Sequence, residues 1–230
     1  MTGEDYKVGQ VLLIDKPLHW TSFQVVNKLR WNIRQRFNIK KIKVGHAGTL
    51  DPLATGLLII CTGKQTKNIH EYQGQVKEYM GTITIGATTP SYDLETEIDQ
   101  TFPVDHISEE MIHKTTALFT GNILQKPPIF SAIKKEGKRL YELARKGETT
   151  EIKSREVIIY EFEITKVEFP KVKFRVLCSK GTYIRSLAYD FGKALNSGAY
   201  LSELRRTKIG NFSVKKALSI EHFIKSLEME

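Results

Sequence analysis

The sequence has little that could tie it down through covalent cross-links or metal. Its 230 residues include two cysteines, Cys61 and Cys178, each inside an apolar run, with no CxxC pair and no clustered histidines. That argues against a disulfide framework or a structural zinc site, and no metal is expected; buried, reduced thiols are predicted instead. No stretch approaches the roughly 18 consecutive apolar residues of a membrane span. The polar start at Thr2, Glu4 and Asp5 also lacks the charged and apolar regions of a secretory leader, so a cytoplasmic protein without a membrane partner is expected. Repeats, low-complexity tracts and Pro/Gly/Ser linkers are missing too, which predicts one domain over residues 1–230.

What the chain does have is positive charge, unevenly placed. The net charge is +9, yet residues 61–120 carry 9 acidic against 4 basic side chains, while residues 1–60 carry 9 basic against 4 acidic and residues 121–160 carry 9 against 5. Basic segments flanking one acidic stretch favour a polyanionic partner, because each Lys or Arg set on a phosphate releases condensed counterions. Lys28, Arg30, Arg34 and Arg36 belong to this charge; a solvated helix face and direct phosphate contact are both open readings.

Hydrophobic residues make up 40% of the chain, enough for a sizeable core. Gly9 to Asp15 reads as a buried strand ended by Lys16-Pro17. Thr21 or Ser22 caps a predicted helix to about Phe37, with Phe23, Val26, Leu29 or Arg30 and Ile33 at helical spacing. A Gly- and Pro-shaped loop, 45–56, feeds the apolar run Leu57 to Cys61, and Gly63 to Tyr72 reads as helical. Val76 to Ile85 alternates as a strand with Tyr79, Gly81, Ile83 and Ile85 on one face. Further helices are expected at 108–119 and from Tyr183 to Leu195, with paired strands between Val157 and Ser179. The long basic segment 121–155, with Pro127-Pro128 and a short helix near Arg139 to Lys146, reads as a functional excursion. Helices do not alternate regularly with strands, so the class is α+β.

Asp51 is the first candidate for chemistry. A carboxylate in a shaped loop beside an apolar strand can serve as nucleophile or base, and Asp before Pro can equally be a turn residue. His46, on the same loop, could act as a base, stack on a nucleobase or satisfy loop backbone. The stretch Gly63-Lys64-Gln65-Thr66 fails as a nucleotide-binding loop because Gln65 follows the lysine and Gly56 lies too far upstream. Asp93, Glu95, Glu97 and Asp99 lack calcium-loop spacing and read as a solvated strand end. If strand geometry persists through Lys180-Gly-Thr-Tyr183-Ile-Arg185, then Tyr183 and Arg185 share one face, suited to stacking on a base and pairing with an anion.

Together these fragments resemble one family. Gly45-His-Ala-Gly-Thr-Leu-Asp-Pro-Leu-Ala-Thr-Gly-Leu-Leu58 is similar to the signature loop of TruB-type pseudouridine synthases. In the expected order follow Val11 to Pro17, Lys77-Glu-Tyr79 before Ile85-Gly86, Gln125 to Lys134, Cys178 to Arg185 and Leu204-Arg-Arg-Thr207, with the first preceding the loop.

The resemblance implies the pseudouridine synthase fold, a mixed, largely antiparallel central sheet flanked by helices and loops. It implies isomerisation of uridine to pseudouridine at position 55 in the T loop of tRNA, without cofactor, with Asp51 initiating. Tyr79 would stack on the uracil and is a candidate to remove the C5 proton, and Arg185 would pair with the aspartate and keep it ionised. Asp93 would be a second acidic partner of that arginine. Tyr183 and Leu204 would line the pocket of the flipped uridine, His46 would support the extruded nucleotides, and Lys16 falls among the expected RNA-binding residues. The 121–155 excursion would fold over the T arm. Ala47 stands where the family often has Thr, and about twenty residues follow the Leu204 motif. A full C-terminal PUA domain is therefore not expected, nor is a guide RNA, and a monomer is.

Overall fold

A computed structural model of the chain describes residues 1–131, 133–135, 137–144, 147 and 150–228. In chain order the elements are α1 (Gly3–Val8), β1 (Val11–Lys16), α2 (Ser22–Arg36), β2 (Val44–His46), β3 (Ala54–Thr62), α3 (Ile69–Gly74), β4 (Lys77–Ile85), β5 (Ala87–Thr88) and β6 (Gln100–Thr101). Then come α4 (Glu109–Thr115), β7 (Gly121–Gln125), β8 (Lys134–Lys135), β9 (Lys138–Arg139), α5 (Leu140–Ala144), β10 (Arg155–Glu168), β11 (Lys171–Cys178), α6 (Ile184–Ala194), β12 (Ala199–Ile209), β13 (Phe212–Ser213) and α7 (Ile220–Glu228). The chain divides into two compact units, Met1–Tyr79 with Leu204–Glu230, and Met80–Glu203. Among the described residues no helix is long and apolar enough to cross a membrane.

In the first unit β3 is the central strand. It runs antiparallel to β1, from Val11↔Cys61 to Lys16↔Gly56, parallel to β12 at Leu204↔Ala54 and Arg206↔Gly56, and antiparallel to β2 near its end. Its apolar run is unbroken because both faces are covered. Leu58 and Ile60 join Ile14, Val25, Leu29 and Phe223 under α2 and α7, whereas Leu57, Ile59 and Cys61 pack with Ala47 and Ile209. Two-sided burial replaces alternation by a continuous hydrophobic stretch.

Helix α2 starts where Thr21 and Gln24 cap each other, Thr21 Oγ1 accepting from Gln24 N at 3.1 Å and Gln24 Oε1 accepting from Thr21 N at 2.7 Å. Its buried stripe is Val25, Val26, Leu29 and Ile33. Phe23, expected on that stripe, points outward and is 63% exposed. The helix ends at Arg36, and two residues on Asn38 takes a left-handed φ of 50°; α1 was not anticipated from the sequence.

In the second unit, residues of β12, β4, β11, β10 and β7 follow one another in strand order. The β10–β11 hairpin pairs Ile159↔Cys178 through Glu168↔Lys171 around Pro170, and β7 adds antiparallel to β10. Alternation places Val157, Ile159, Phe162 and Ile164 inward, opposite Val172, Phe174 and Val176. A register shift between Ile159 and Glu161 explains the two exposed residues in succession there. Phe191 of α6 closes edge-on against Phe162 at 5.5 Å. Within the 121–155 excursion a helix spans Leu140–Ala144; Arg145 and Lys146, the expected end of that helix, lie outside the described residues.

Two buried cations organise the 47–53 loop of the first unit. Lys16 is fully buried, and its Nζ donates to Trp20 O at 2.5 Å, Pro17 O at 3.0 Å and Pro52 O at 3.5 Å. Arg206, 1% exposed, donates from Nε to Leu57 O at 2.8 Å, from Nη2 to Gly48 O at 3.0 Å and from Nη1 to Thr49 O at 3.5 Å. Burial pushes the Lys16 pKa down to about 8; the Asp51 charge opposes that shift and the Arg206 charge adds to it.

Two predictions follow from this packing. Gly56 has φ +103°, and a Cβ there would lie 2.3 Å from the Arg206 carbonyl oxygen. Gly56→Ala should therefore lower urea stability by about 3 kcal/mol or more, while Gly74→Ala, whose Cβ meets nothing within 4 Å, should change it by less than about 1 kcal/mol. A lysine with a lowered folded pKa binds its proton more weakly when folded than unfolded, so the penalty is complete below pH 8 and is relieved as pH rises toward the unfolded value. Between pH 7 and 9.5 wild type should thus gain about 1 to 2 kcal/mol of urea stability relative to Lys16→Met; a flat difference would contradict the assignment.

Candidate active site

Asp51 sits on a loop whose main chain is gripped at nearly every residue. Ala47 N–H donates to Ile59 O at 2.9 Å, and Leu50 is clasped at both ends by Ser22 Oγ, which accepts from its N–H at 2.9 Å and donates to its carbonyl at 3.1 Å. Ala54 N–H closes a turn on Asp51 O at 3.0 Å, and His19 N–H donates to Pro52 O at 2.8 Å. Lys16 adds a second donor to Pro52 O, and Arg206 holds the Gly48 and Thr49 carbonyls. The Asp51 residue itself is half-buried, so a rigid loop presents a reachable carboxylate, the arrangement that lets a nucleophile or base act without reorganising. Lys16 supplies opposite charge nearby.

The other expected residues of this unit lie on the strands around that loop. His46 ends β2 opposite Ile60 and is half-buried. Burial first, and the Arg206 charge second, hold its pKa below the usual value against a hydrogen bond with the Gly48 backbone, which keeps the ring largely neutral at pH 7. Leu204 is half-buried and pairs with Ala54 at the loop exit. Tyr79 is 8% exposed on β4, in phase with Ile83 and Ile85. Lys16, expected to touch RNA, points its ammonium into three carbonyls of its own chain.

In the second unit Arg185 and Asp93 form a buried ion pair, Nε to Oδ2 at 3.6 Å, with side chains 4% and 7% exposed. Arg185 also donates to Ser91 O at 3.1 Å and Phe130 O at 2.9 Å. Asp93 Oδ1 accepts from Glu95 N–H at 3.0 Å, and its carbonyl accepts from Thr89 Oγ1 at 2.6 Å. The expectation that Asp93 belongs to a solvated strand end is therefore corrected: partners on both sides offset the desolvation of its charge. The shared strand face of Tyr183 and Arg185 is corrected as well, because β11 ends at Cys178 and Arg185 lies in the first turn of α6. Tyr183 is the residue before that helix. Its N–H donates to Gln125 Oε1 at 2.7 Å, its carbonyl accepts from Gln125 Nε2 at 3.0 Å, and the Arg155 guanidinium lies 4.7 Å from its ring centre.

Sequence reasoning missed Arg206, the forked pair of Arg205 with Asp15 at 3.0 and 2.6 Å, and Gln125. The Arg-Arg dipeptide after Leu204 was visible, but nothing local distinguishes the buried arginine from the half-exposed one.

The model of the TruB family pseudouridylate synthase N-terminal domain matches residues 34–184, and that of the tRNA pseudouridylate synthase B C-terminal domain matches residues 185–229. The chain is 67% identical to tRNA pseudouridine synthase B of Flavobacterium johnsoniae, over 99% of this chain and 100% of that one. It is 55% identical to the protein of the same name from Phocaeicola vulgatus, over 98% and 96%. Among solved structures it superposes on a Cbf5-Nop10-Gar1 complex with TM-score 0.71 at 30% identity, covering 96% of this chain and 54% of that one. It also superposes on an H/ACA RNP bound to a substrate RNA containing 2′-deoxyuridine, with TM-score 0.68 at 28% identity, covering 96% and 53%; the chain thus spans about half the length of these proteins. The fold is the pseudouridine synthase fold, and the chain belongs to the TruB family of tRNA pseudouridine synthases, isomerases that act on uridine in tRNA.

Proposed function

We propose that Asp51 initiates the conversion of uridine 55 in the tRNA T loop to pseudouridine. The observation that carries this reading is the half-buried Asp51 on a loop fixed by Ser22, Lys16 and Arg206. In the reaction the C1′–N1 bond breaks, uracil turns and a C1′–C5 bond forms; the C5 proton is lost and N1 takes one up, so atoms balance without an oxidant, a reductant or a cofactor. Asp51 attacks or assists at the glycosidic centre. Tyr79 stacks on the uracil and is the candidate acceptor of the C5 proton. Arg185, immobilised by Asp93, Ser91 and Phe130, is the proposed partner of the catalytic carboxylate. Tyr183, Leu204 and His46 house the extruded nucleotides, whose unstacking costs a few kcal/mol that such contacts offset.

The reaction runs on tRNA alone, in the cytoplasm, with a single chain and no guide RNA. A pocket of about 230 Å³ lined by Lys7, Lys41, Lys43, Lys64 and Lys67 supports a polyanionic substrate, and the 121–155 excursion folds over the T arm.

Wild-type protein in EDTA should place one carbodiimide-reactive pseudouridine in the T loop of an unmodified tRNA transcript. Asp51→Asn should retain tRNA binding while its single-turnover rate falls by more than about 10⁴-fold. Wild-type rates in Asp51→Asn would remove Asp51 from the chemistry, and a product elsewhere in the tRNA would remove the position assignment.

A further inference from the structure

Helix α2 has an outer face that its packing role does not use. Its 15 residues include Lys28, Arg30 and Arg34 and no carboxylate at all, with Arg36 turned instead to α7, where its Nε donates to Leu227 O at 2.7 Å. On the same exposed side lie Phe23 and Trp31, 63% and 55% exposed, with the Lys28 ammonium 5.9 Å from the Trp31 ring centre. A helix face that only meets water intersperses both signs of charge and gains from pairs three and four residues apart. Single exposed aromatics are ordinary; here the cations have no acid on their own helix, Glu221 of α7 being near Lys28, and with two large aromatics on one short face the composition is that of a surface tracking a polyanion with flat apolar rings.

This face begins beside the Asp51 loop. An open pocket of about 320 Å³ is lined by His19, Trp20, Gln24, Asn27 and Lys28. His19 takes a left-handed φ of 65° and its N–H donates to Pro52 O, one residue from Asp51. Trp20 O is held by Lys16, the same ammonium that reaches Pro52 O. The floor of the pocket and the catalytic loop are therefore joined through shared backbone anchors. Gln24 Oε1 is occupied by the helix cap and Asn27 Oδ1 by Arg30, which leaves both amides with N–H donors for the acceptor edge of a base. From Phe23 to Trp31 the helix rises about 12 Å, room for a few nucleotides.

We propose that this face binds an unpaired stretch of the substrate RNA next to the reacting uridine: one base enters the pocket of His19, Trp20 and Gln24, neighbouring bases stack on Phe23 and Trp31, and Lys28, Arg30 and Arg34 take the phosphates. The inference rests on the proposed function, since it places RNA at the Asp51 loop, and it adds a determinant that favours splayed over paired nucleotides.

The chain has two tryptophans, Trp20 and Trp31, and both are on this face, so intrinsic fluorescence reports on it directly. The full-length protein is titrated with a T-arm hairpin carrying its unpaired loop, and with the same stem as a plain duplex. The hairpin should quench the emission, and the double variant Phe23→Ala/Trp31→Ala should raise the half-saturating hairpin concentration about 10- to 100-fold, followed by filter binding, with duplex affinity unaltered. Lys28→Gln should reduce the slope of log affinity against log salt by about one. Circular dichroism of these exposed-site variants checks that they remain folded. Hairpin affinity within twofold of wild type in the double variant, or an equal loss on the duplex, would overturn the proposal. Failure of wild type to convert any tRNA uridine, with quenching and its loss intact, would instead count against the proposed function and leave the binding face standing.

Discussion

A guanidinium with almost no contact with solvent must find acceptors for its N–H groups, and the Arg206 guanidinium finds them in Gly48, Thr49 and Leu57. Those carbonyls belong to the loop that presents Asp51 and to the strand that follows it. Taking an ion out of water costs several kcal/mol, while each hydrogen bond from a charged donor contributes roughly 1.5 to 3 kcal/mol, so the two nearly cancel. Net stability is then a minor part of what Arg206 supplies. Its larger effect is to leave the loop one conformation, because every alternative strands a buried positive charge. Lys16 acts in the same way from β1, and the glycine at position 56 is what lets the Arg206 backbone come close enough.

Electrostatics follow from that constraint. Burial first, and the Arg206 charge after it, depress the proton affinity of His46 and of Lys16. In the second unit the logic repeats with a compensating anion: Arg185 is immobilised by Asp93 and two backbone carbonyls. Each of these side chains is held in one orientation by its own partners before anything binds.

Much of this was legible in the chain. Helix α2, the β10–β11 hairpin, α6 and the alternating stretch through Tyr79 follow from caps, turn residues and periodicity, and the run Leu57 to Cys61 marks the doubly covered strand. The resemblance of the 45–58 loop gave the family, which the matches to family models and relatives show. What escaped was decided by long-range packing. Phe23 looked like core because the apolar spacing of α2 admits two neighbouring stripes, and Val25 with Val26 won the inner one. Asp93 looked solvated because its partner Arg185 is 92 residues away in sequence. Strand β12 went unread because its buried and exposed positions mix Arg206 with Leu201 and Ile209. A charged residue inside a core carries no local signal of its burial.

The parallel pairing of Arg206 with Gly56 joins positions 150 residues apart. During synthesis the loop of Asp51 leaves the ribosome long before the strand that anchors it, so the nascent chain carries its carboxylate on a segment with nothing to close upon. Non-local strand contacts of this kind form late. The geometry of the Asp51 loop is thus set only after β12 has been made, and a polypeptide released before β12 carries that loop without its anchor.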